Sequence, residues 1–313
     1  MTRILTEHDI EAVLTLDDCI EVVEQVFRAY GEGKIEKSQS LGVTAGQGTV
    51  HVKAATAGVF AAKINANFPR NRELHGLPTI QGVIVVMDID RGTPLGILDS
   101  GLITTLRTAA ATAVAAKFLA RHDASTVAVI GCGAQGRATL EALRRVRKID
   151  RVFAFDVDES AARGLPEGIP ARSLDDAVAS ADIIVTCTTS RSALLDARHF
   201  RPGLLIAGVG ADNPGKNELA PDLLARALVV PDILDQAAAM GDLHHAIAAG
   251  AMTREQIYAE LPDVICGRAA PRTSAGQTFV FDSTGTALQD VVVAELALDR
   301  AAGRGVGWEI ALR

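Results

Sequence analysis

A glycine-rich turn between two patterned segments constrains the fold of this chain most. Residues 127–143, VAVIGCGAQGRATLEAL, begin as an apolar run, break at Gly131, Gly133 and Gly136, and resume with helical spacing. In such a turn the first glycine permits the sharp bend, the second lets backbone approach a pyrophosphate, and the third lets helix and strand pack closely. Asp156 ends the next apolar run, where a carboxylate binds a ribose diol. The pattern predicts a bound dinucleotide.

The same carboxylate favours NAD over NADP. Asp156 would repel a 2′-phosphate, and Val157 follows it where an NADP-binding protein often has arginine. Two alternatives stay open: a tight turn without a ligand, and an S-adenosylmethionine site, which also pairs a glycine-rich turn with an acidic residue. Further cofactor contacts are predicted near the turn, at later strand ends and at a helix start, from Ala134, Gln135, Thr188, Val209, Ser283 and Thr108.

The order of apolar patterns predicts an α/β protein with two domains. After residue 123 six short apolar runs, most of them separated by helical segments, predict the strands of a doubly wound parallel sheet. Residues 7–31 have the spacing of an amphipathic helical pair, and residues 49–98 carry β-branched runs separated by turns, which predict a mostly antiparallel sheet. We therefore expect a Rossmann domain at 119–288. A discontinuous α+β domain should comprise 1–118 together with 289–313.

Composition excludes several classes of function. The chain has 48% apolar and 22% charged residues and a net charge of −7, with scattered basic residues, so a nucleic-acid partner is not expected. Neither an export signal nor a membrane span is predicted, because no apolar run approaches about 20 residues. Four widely spaced cysteines lack zinc-ligand or redox spacing, which predicts buried free thiols in the cytoplasm and no metal: Cys19, Cys132, Cys187 and Cys266.

Four charged residues are candidates for chemistry on a small substrate. Asp212 follows an apolar run within GVGADNPGK and could exchange a proton, although aspartate also favours such turns for structural reasons. Lys63 and Lys53 interrupt apolar strands, as substrate-binding cations or as lysines that extend to solvent from a sheet edge. Arg107 lies near a possible helix start, as an anion-binding group or an ordinary surface arginine.

Several blocks of sequence resemble the ornithine cyclodeaminase and mu-crystallin family. The resemblance runs from about residue 5 to residue 300, and its blocks are AAKINANFPRN, GLPTIQGVIVVMD, ITTLRTAAATAVAAKFLA, VIGCGAQGRATLEAL, GVGADNPGKNEL, GDLHHAIAAG and VFDSTGTALQD. It implies a homodimer built through the first domains, a Rossmann domain that binds NAD or NADP, and a substrate pocket between the domains.

The resemblance also implies roles for individual residues. Lys63 matches a lysine that touches the substrate carboxylate or carbonyl, Arg107 an arginine near substrate and cofactor phosphate, and Asp212 the acid–base aspartate. Thr79 matches a residue that lines the nicotinamide pocket. Many members carry a substrate-binding arginine where this chain has Gln39 or Ser40. Lys53 is the predicted replacement for that arginine.

The family's activities leave the reaction open. The lead interpretation is NAD-dependent conversion of ornithine to proline with release of ammonia. The alternatives are a single dehydrogenation, as in alanine dehydrogenases, reduction of a ketimine or pyrroline carboxylate, and a protein that binds the dinucleotide without turnover.

Overall fold

Two seven-stranded sheets organise the chain, and the computed structural model describes residues 1–312. In chain order the elements are β1 (Thr2–Leu5), α1 (Glu7–Val13), α2 (Leu16–Gly31), β2 (Gln39–Ala45), β3 (Gly48–Ala57), β4 (Val59–Asn67), α3 (Asn71–His75), β5 (Ile80–Met87), β6 (Pro94–Asp99), α4 (Gly101–Leu119), β7 (Thr126–Ile130), α5 (Ala134–Val146), β8 (Arg151–Phe155), α6 (Glu159–Arg163), β9 (Ile169–Pro170), α7 (Leu174–Val178), β10 (Ile183–Thr186), β11 (Leu205–Gly208), α8 (Pro221–Leu224), β12 (Leu228–Pro231), α9 (Leu234–Met240), α10 (Asp242–Ala248), α11 (Leu261–Ile265), β13 (Phe279–Asp282), α12 (Ala287–Arg304) and β14 (Trp308–Ile310). Single 3-10 turns lie at Ala197–His199 and Arg254–Gln256.

The chain divides into two units. The first comprises Met1–Arg107 with Thr286–Arg313, and the second comprises Thr108–Gly285. The first observed boundary follows Arg107, inside α4, whereas the sequence predicted it after residue 118, at the C-terminal end of this helix. The second observed boundary follows Gly285, and the predicted one followed residue 288. The discontinuous first unit therefore includes the C-terminal helix α12.

The first unit is a mixed sheet with helices on one face. Its strand order is β14-β1-β6-β5-β4-β3-β2, antiparallel except for the β1–β6 pair. Helix α12 packs on β3, β4 and β5 and against α2. Threonine capping boxes begin α1 and α2 at Thr6 and Thr15, which explains why residues 7–31 form two helices rather than one. The predicted antiparallel sheet and helical pair are confirmed.

The second unit is a doubly wound parallel sheet. All its strand pairs are parallel, in the order β12-β13-β11-β10-β7-β8-β9. The six predicted apolar runs form β7, β8, β10, β11, β12 and β13, and the short edge strand β9 is an addition. The predicted α/β class is confirmed. Because β10 lies between β7 and β11, the carboxyl ends of these three strands lie side by side, which is where such sheets bind ligands.

Helix α4 bears on the expectation that the chain has no membrane span. Among residues 1–312 it is the one helix with the length and composition of a span, and 67% of its most apolar window is buried inside the fold. A core helix of a soluble protein passes the same test, so this is weak evidence for a membrane. The alanines of its middle section are completely buried, from Ala109 to Ala116.

Candidate functional site

The glycine turn has the geometry that its spacing predicts. Gly131 has φ +93°, and a Cβ there would lie 2.5 Å from the carbonyl oxygen of Cys187. A Cβ on Gly136 would lie 2.0 Å from the carbonyl oxygen of Gly131, so helix α5 and the turn pack as closely as backbone allows. A Cβ on Gly133 would meet nothing within 4 Å. The first and third glycines are therefore required by packing, whereas the second borders open space.

The open side of the turn fits a dinucleotide pyrophosphate. Gly133 is the N-cap of α5 and supplies no side-chain hydrogen bond to the helix. Ala134 and Gln135 lie in the first turn of α5, where the positive end of the helix dipole lies. Such a helix start binds phosphate. The residues present therefore fit the predicted cofactor.

Asp156 is held at the edge of this turn. Its Oδ2 accepts a hydrogen bond from the Cys132 N–H at 2.8 Å, and its Oδ1 accepts from the Asp158 N–H at 2.9 Å. Each carboxylate oxygen can accept a further hydrogen bond. Val157 beside it is 98% exposed, at the position where an NADP-binding protein often has arginine. This arrangement agrees with the prediction of NAD.

The other predicted cofactor residues of the second unit follow neighbouring strands. Thr188 follows β10, Val209 follows β11 and Ser283 follows β13. The Ser283 hydroxyl is buried without a hydrogen-bond partner among residues 1–312, as expected of a side chain that forms its hydrogen bond with a ligand. The Thr188 hydroxyl instead donates to Glu218 at 2.7 Å. The predicted helix start at Arg107 and Thr108 is wrong, because α4 begins at Gly101 and both residues lie inside it. Thr108 is 7% exposed, and its carbonyl accepts from the Thr112 hydroxyl.

Asp212 lies in the exposed loop after β11. Its carboxylate forms an ion pair with Lys216 at a distance of 2.8 Å, and its Oδ1 accepts a hydrogen bond from the Asn213 amide at 3.0 Å. An exposed carboxylate beside a lysine ammonium can take and return a proton. The acid–base role that the resemblance implies remains a prediction.

The first unit contains a buried charge cluster around Lys63. Lys63 and Arg107 are 4% and 5% exposed, and both contact Asp290 of α12, which is 1% exposed. Lys63 Nζ lies 2.8 Å and Arg107 Nε 2.9 Å from Asp290 Oδ1. Arg107 also donates to the side-chain oxygen of Gln289 at 3.0 Å, and Lys63 donates to the Thr104 hydroxyl at 3.2 Å. Sequence reasoning found both cations, and the structure brings them together on one carboxylate.

Burial sets the ionisation of this cluster. Burial is the largest cause that lowers the pKa of Lys63; Asp290 opposes it, Arg107 and Lys53 add to it, and the resulting pKa is about 7. Burial alone would raise the pKa of Asp290, but Lys63 and Arg107 hold that pKa below its usual value. A carboxylate ligand would act on Lys63 as Asp290 does and restore its proton. Binding of an anion at neutral pH would therefore favour the protonated form of Lys63.

Lys53 lies directly beside Lys63 in the sheet. The strands β3 and β4 pair Lys53 with Lys63, and β2 pairs Ser40 with Lys53. Opposed residues of antiparallel strands lie on the same face, with Cβ atoms about 5 Å apart. Ser40, one of the two residues at the place of the family arginine, is thus next to Lys53. That Lys53 replaces this arginine remains a prediction.

Thr79 lies apart from this cluster within the chain. It precedes β5, whereas Ile84 of the same strand pairs with Lys63. Five residues of extended strand span roughly 16 Å. The predicted role of Thr79 at the nicotinamide remains a prediction.

Sequence reasoning missed Asp290 and Glu218, two buried carboxylates that contact predicted site residues. Asp290 had a detectable signal, because it shares the buried stripe of α12 with Ala294, Ala297 and Ala301, where an acidic residue is out of place. Glu218 is also completely buried but lies in an irregular segment with no periodic pattern. Only tertiary contacts show its importance.

These features define a dinucleotide-binding α/β protein whose other unit buries two cations, and comparison with known proteins gives the family. The profile of the ornithine cyclodeaminase/mu-crystallin family matches residues 1–305, so the chain belongs to that family, as the sequence blocks predicted. Alanine dehydrogenase from Archaeoglobus fulgidus is 35% identical over 99% of this chain and 98% of its own length.

Solved structures agree with this assignment. An archaeal alanine dehydrogenase, solved as a dimer with bound NAD, matches with a TM-score of 0.96 and 34% identity over 100% of this chain and 99% of that one. A pyrroline-2-carboxylate reductase from Thermococcus litoralis, in complex with NADH and L-proline, has a TM-score of 0.93 and 27% identity over 99% and 100% of the chains. A lysine cyclodeaminase has a TM-score of 0.89 and 29% identity over 100% and 96%. Relatives in this family are oxidoreductases and cyclodeaminases.

Proposed function

We propose that this protein is an NAD-dependent enzyme that acts at the α-carbon of a small L-amino or imino acid. The observation that carries the proposal is the pair of buried cations, Lys63 and Arg107, that share one carboxylate. Two buried cations on one anion leave a positive charge that a substrate carboxylate would neutralise. The solved relatives with bound NAD or NADH support the choice of cofactor.

The residues of the chain divide the work between binding and proton transfer. Lys63 and Arg107 bind the substrate carboxylate, with Lys53 as a third cation on the same sheet face. Asp212 exchanges the proton of the substrate amine. NAD, when bound, takes up a hydride from the α-carbon, and NADH returns one. The turn at Gly133 and the carboxylate of Asp156 hold the cofactor.

Two versions of the reaction share this first step. In cyclodeamination, the lead case, the δ-amine of ornithine attacks the α-imine, ammonia leaves, and the cyclic imine takes the hydride back to give proline. In a simple dehydrogenation the imine is hydrolysed to a keto acid and NADH accumulates. The similarity to a lysine cyclodeaminase favours the first version, and the similarity to alanine dehydrogenase favours the second.

A substrate panel separates these versions. The purified protein is incubated with NAD and L-ornithine, L-lysine or L-alanine, or with NADH and a cyclic imino acid, while NADH absorbance and ammonia are measured. Ammonia without net NADH indicates a cyclodeaminase, and equal amounts of both indicate a dehydrogenase. Consumption of NADH with a cyclic imine indicates a reductase. If NADH binds but no substrate reacts, the protein binds the dinucleotide without turnover, and the proposed enzyme is wrong.

The protein is also proposed to be a homodimer that forms through the first unit. On the sheet face opposite Lys63, Leu41, Ile64 and Val83 form one row across β2, β4 and β5, and they are 61%, 40% and 40% exposed. A contiguous exposed apolar face suits a protein partner, and the archaeal relative is a dimer. Light scattering after gel filtration should give twice the mass of the chain. Leu41→Glu should halve that mass, whereas Ile89→Glu, a control on an exposed turn of the same unit, should not.

We place the protein in the cytoplasm, in agreement with its free cysteines. None of the four cysteines of residues 1–312 forms a disulfide, although Cys187 and Cys266 are only half-buried. Free, partly accessible thiols persist in a reducing compartment. Fractionation of the native organism tests this, and recovery outside the cytosol would contradict it.

A further inference from the structure

A buried glutamate joins the ends of two neighbouring strands in the second unit. Glu218 is completely buried, and its carboxylate accepts four hydrogen bonds. Its Oε1 accepts from the Thr188 N–H at 2.6 Å and from the Thr188 hydroxyl at 2.7 Å. Its Oε2 accepts from the Thr186 hydroxyl and from the Gly210 N–H, both at 2.7 Å. One side chain thus fixes the loop after β10 and the loop after β11.

The close approach of this carboxylate explains a glycine of the GVGAD block. A Cβ on Gly210 would lie 2.3 Å from the carbonyl oxygen of Thr188 and 2.6 Å from Glu218 Oε1. The glycine is therefore required by Glu218 and the neighbouring loop, independently of any ligand. The Gly210 carbonyl in turn accepts from the N–H of Asp212 at 3.1 Å. The loop that carries Asp212 consequently starts at a point fixed by Glu218.

The backbone of Glu218 is fixed by a second buried carboxylate. Oδ1 of Asp242, another completely buried carboxylate, accepts from the N–H groups of Glu218 at 2.7 Å and Leu219 at 3.1 Å. Asp242 is the first residue of α10, and its own N–H and that of Leu243 donate to the buried Asp282 of β13. Side-chain carboxylates and backbone N–H groups thus connect β13, α10 and Glu218 in one network.

We infer that Glu218 is a positioning residue that places Asp212 for proton transfer, an inference that rests on the proposed role of Asp212. The carboxylate form is essential because each of its oxygens accepts from a backbone N–H, of Thr188 on one side and of Gly210 on the other. In Glu218→Gln the amide NH₂ would face one of these N–H groups in either orientation. The variant therefore releases one of the two loops whichever way the amide turns.

The test compares Glu218→Gln with a matched control. Thr186→Val removes the Thr186 hydroxyl, one of the four hydrogen-bond donors to Glu218. Thr186 lies on β10 and belongs to neither loop, so both loops keep their hydrogen bonds to Glu218. For each protein, NADH binding sites are counted by fluorescence titration, and kcat and the KM for the best amino acid are measured per binding site. Hydrogen–deuterium exchange is followed for the segments 187–192 and 209–216.

We expect Glu218→Gln to lower kcat per binding site by about tenfold or more, since small misplacements of a catalytic group have effects of that size. The KM for the amino acid should change little, because its carboxylate is bound by the first unit. Exchange should accelerate in segments 187–192 or 209–216. Thr186→Val should keep kcat per site within about twofold, although its thermal stability should fall as well.

Three outcomes would overturn the inference. These are a normal kcat per site in Glu218→Gln, an equal fall of kcat in Thr186→Val, and unchanged exchange in both segments. If Glu218→Gln does not fold, Thr188→Val replaces it, and accelerated exchange in 209–216 is then the expected sign of a weakened link through Glu218. If the wild-type protein shows no turnover with any substrate, the proposed function is wrong. Hydrogen–deuterium exchange needs no substrate, so the link from Glu218 to the two loops can still be tested.

Discussion

Replacing Asp290 with asparagine should destabilise the first unit strongly. Asp290→Asn keeps the shape of the side chain but removes the one carboxylate between Lys63 and Arg107, at 2.8 and 2.9 Å from their nitrogens. All three side chains are at least 95% buried. Removing one partner of a buried ion pair costs about 3–5 kcal/mol, because the other charge stays buried and uncompensated. The asparagine oxygen still accepts a hydrogen bond, so we expect about 3 kcal/mol at pH 6.

The loss should be smaller at high pH, and this dependence identifies Lys63 as the strained group. Its pKa in the folded protein is about 7, below the ordinary lysine value, so the folded state binds fewer protons than the unfolded state between these two values. The contribution of Lys63 to the free energy of unfolding therefore rises with pH above about 7. Without Asp290 the pKa of Lys63 falls further, so Lys63 is neutral at pH 9. A neutral lysine does not bear the cost of a buried, uncompensated charge, and the loss of stability is therefore smaller there. Arg107 remains charged, so recovery is incomplete.

Urea unfolding measures this loss directly. Trp308, the single tryptophan, lies on β14 of the first unit, so its fluorescence reports on that unit. Asp299→Asn, on the exposed side of the same helix, is the control and should stay within about 0.5 kcal/mol of wild type. Adding Lys63→Met to Asp290→Asn should recover part of the loss, because one buried cation is then gone. A loss below about 1 kcal/mol at pH 6, or a loss independent of pH, would refute the reasoning.

Four single substitutions test individual residues. Asp156→Ala should weaken NAD binding and narrow the preference over NADP, because it removes both the diol hydrogen bonds and the charge that repels phosphate, and an unchanged affinity ratio in fluorescence titrations would count against this role. Asp212→Asn should lower turnover by roughly 10² or more with little change in NAD affinity, and near-normal turnover would exclude proton transfer by this residue. Lys53→Met should raise the KM of a carboxylate substrate about tenfold with a smaller effect on kcat, whereas Lys63→Met should damage both. Wild-type kinetics for Lys53→Met would leave the carboxylate to Lys63 and Arg107.

The parts of the site that sequence predicts are those built from local patterns. Gly131, Gly133 and Gly136 and the aspartate after β8 belong to one strand–helix–strand unit, so their spacing along the chain fixes their spacing in space. Lys63 was found because a charged residue within an alternating apolar strand is unusual, and its burial beside Ala61 agrees. Local periodicity is sufficient in both cases.

Long-range partners are hidden from that kind of reasoning. Lys63 and Asp290 are separated by 227 positions, and nothing in the chemistry of either segment specifies the other. The neighbouring positions of Lys53 and Lys63 depend on the register of β3 against β4, which the intervening turn at Gly58 determines. Glu218 satisfies N–H groups of two loops whose backbone geometry only the folded sheet creates. The missed residues are therefore those that connect separate elements.

The two units stabilise buried charge in different ways, and the difference supports the proposed roles. In the second unit, the buried carboxylates Glu218 and Asp282 accept hydrogen bonds through both oxygens from backbone N–H groups and hydroxyls. Asp242 accepts through Oδ1, and its Oδ2 has no hydrogen-bond partner among residues 1–312. In the first unit, Lys63 and Arg107 meet one carboxylate, and burial has already lowered the lysine pKa toward neutrality. A bound carboxylate would therefore gain stabilisation beside Lys63 and Arg107 of the first unit. This supports the proposals that the substrate carboxylate binds at Lys63 and that proton transfer takes place at the loop that Glu218 holds.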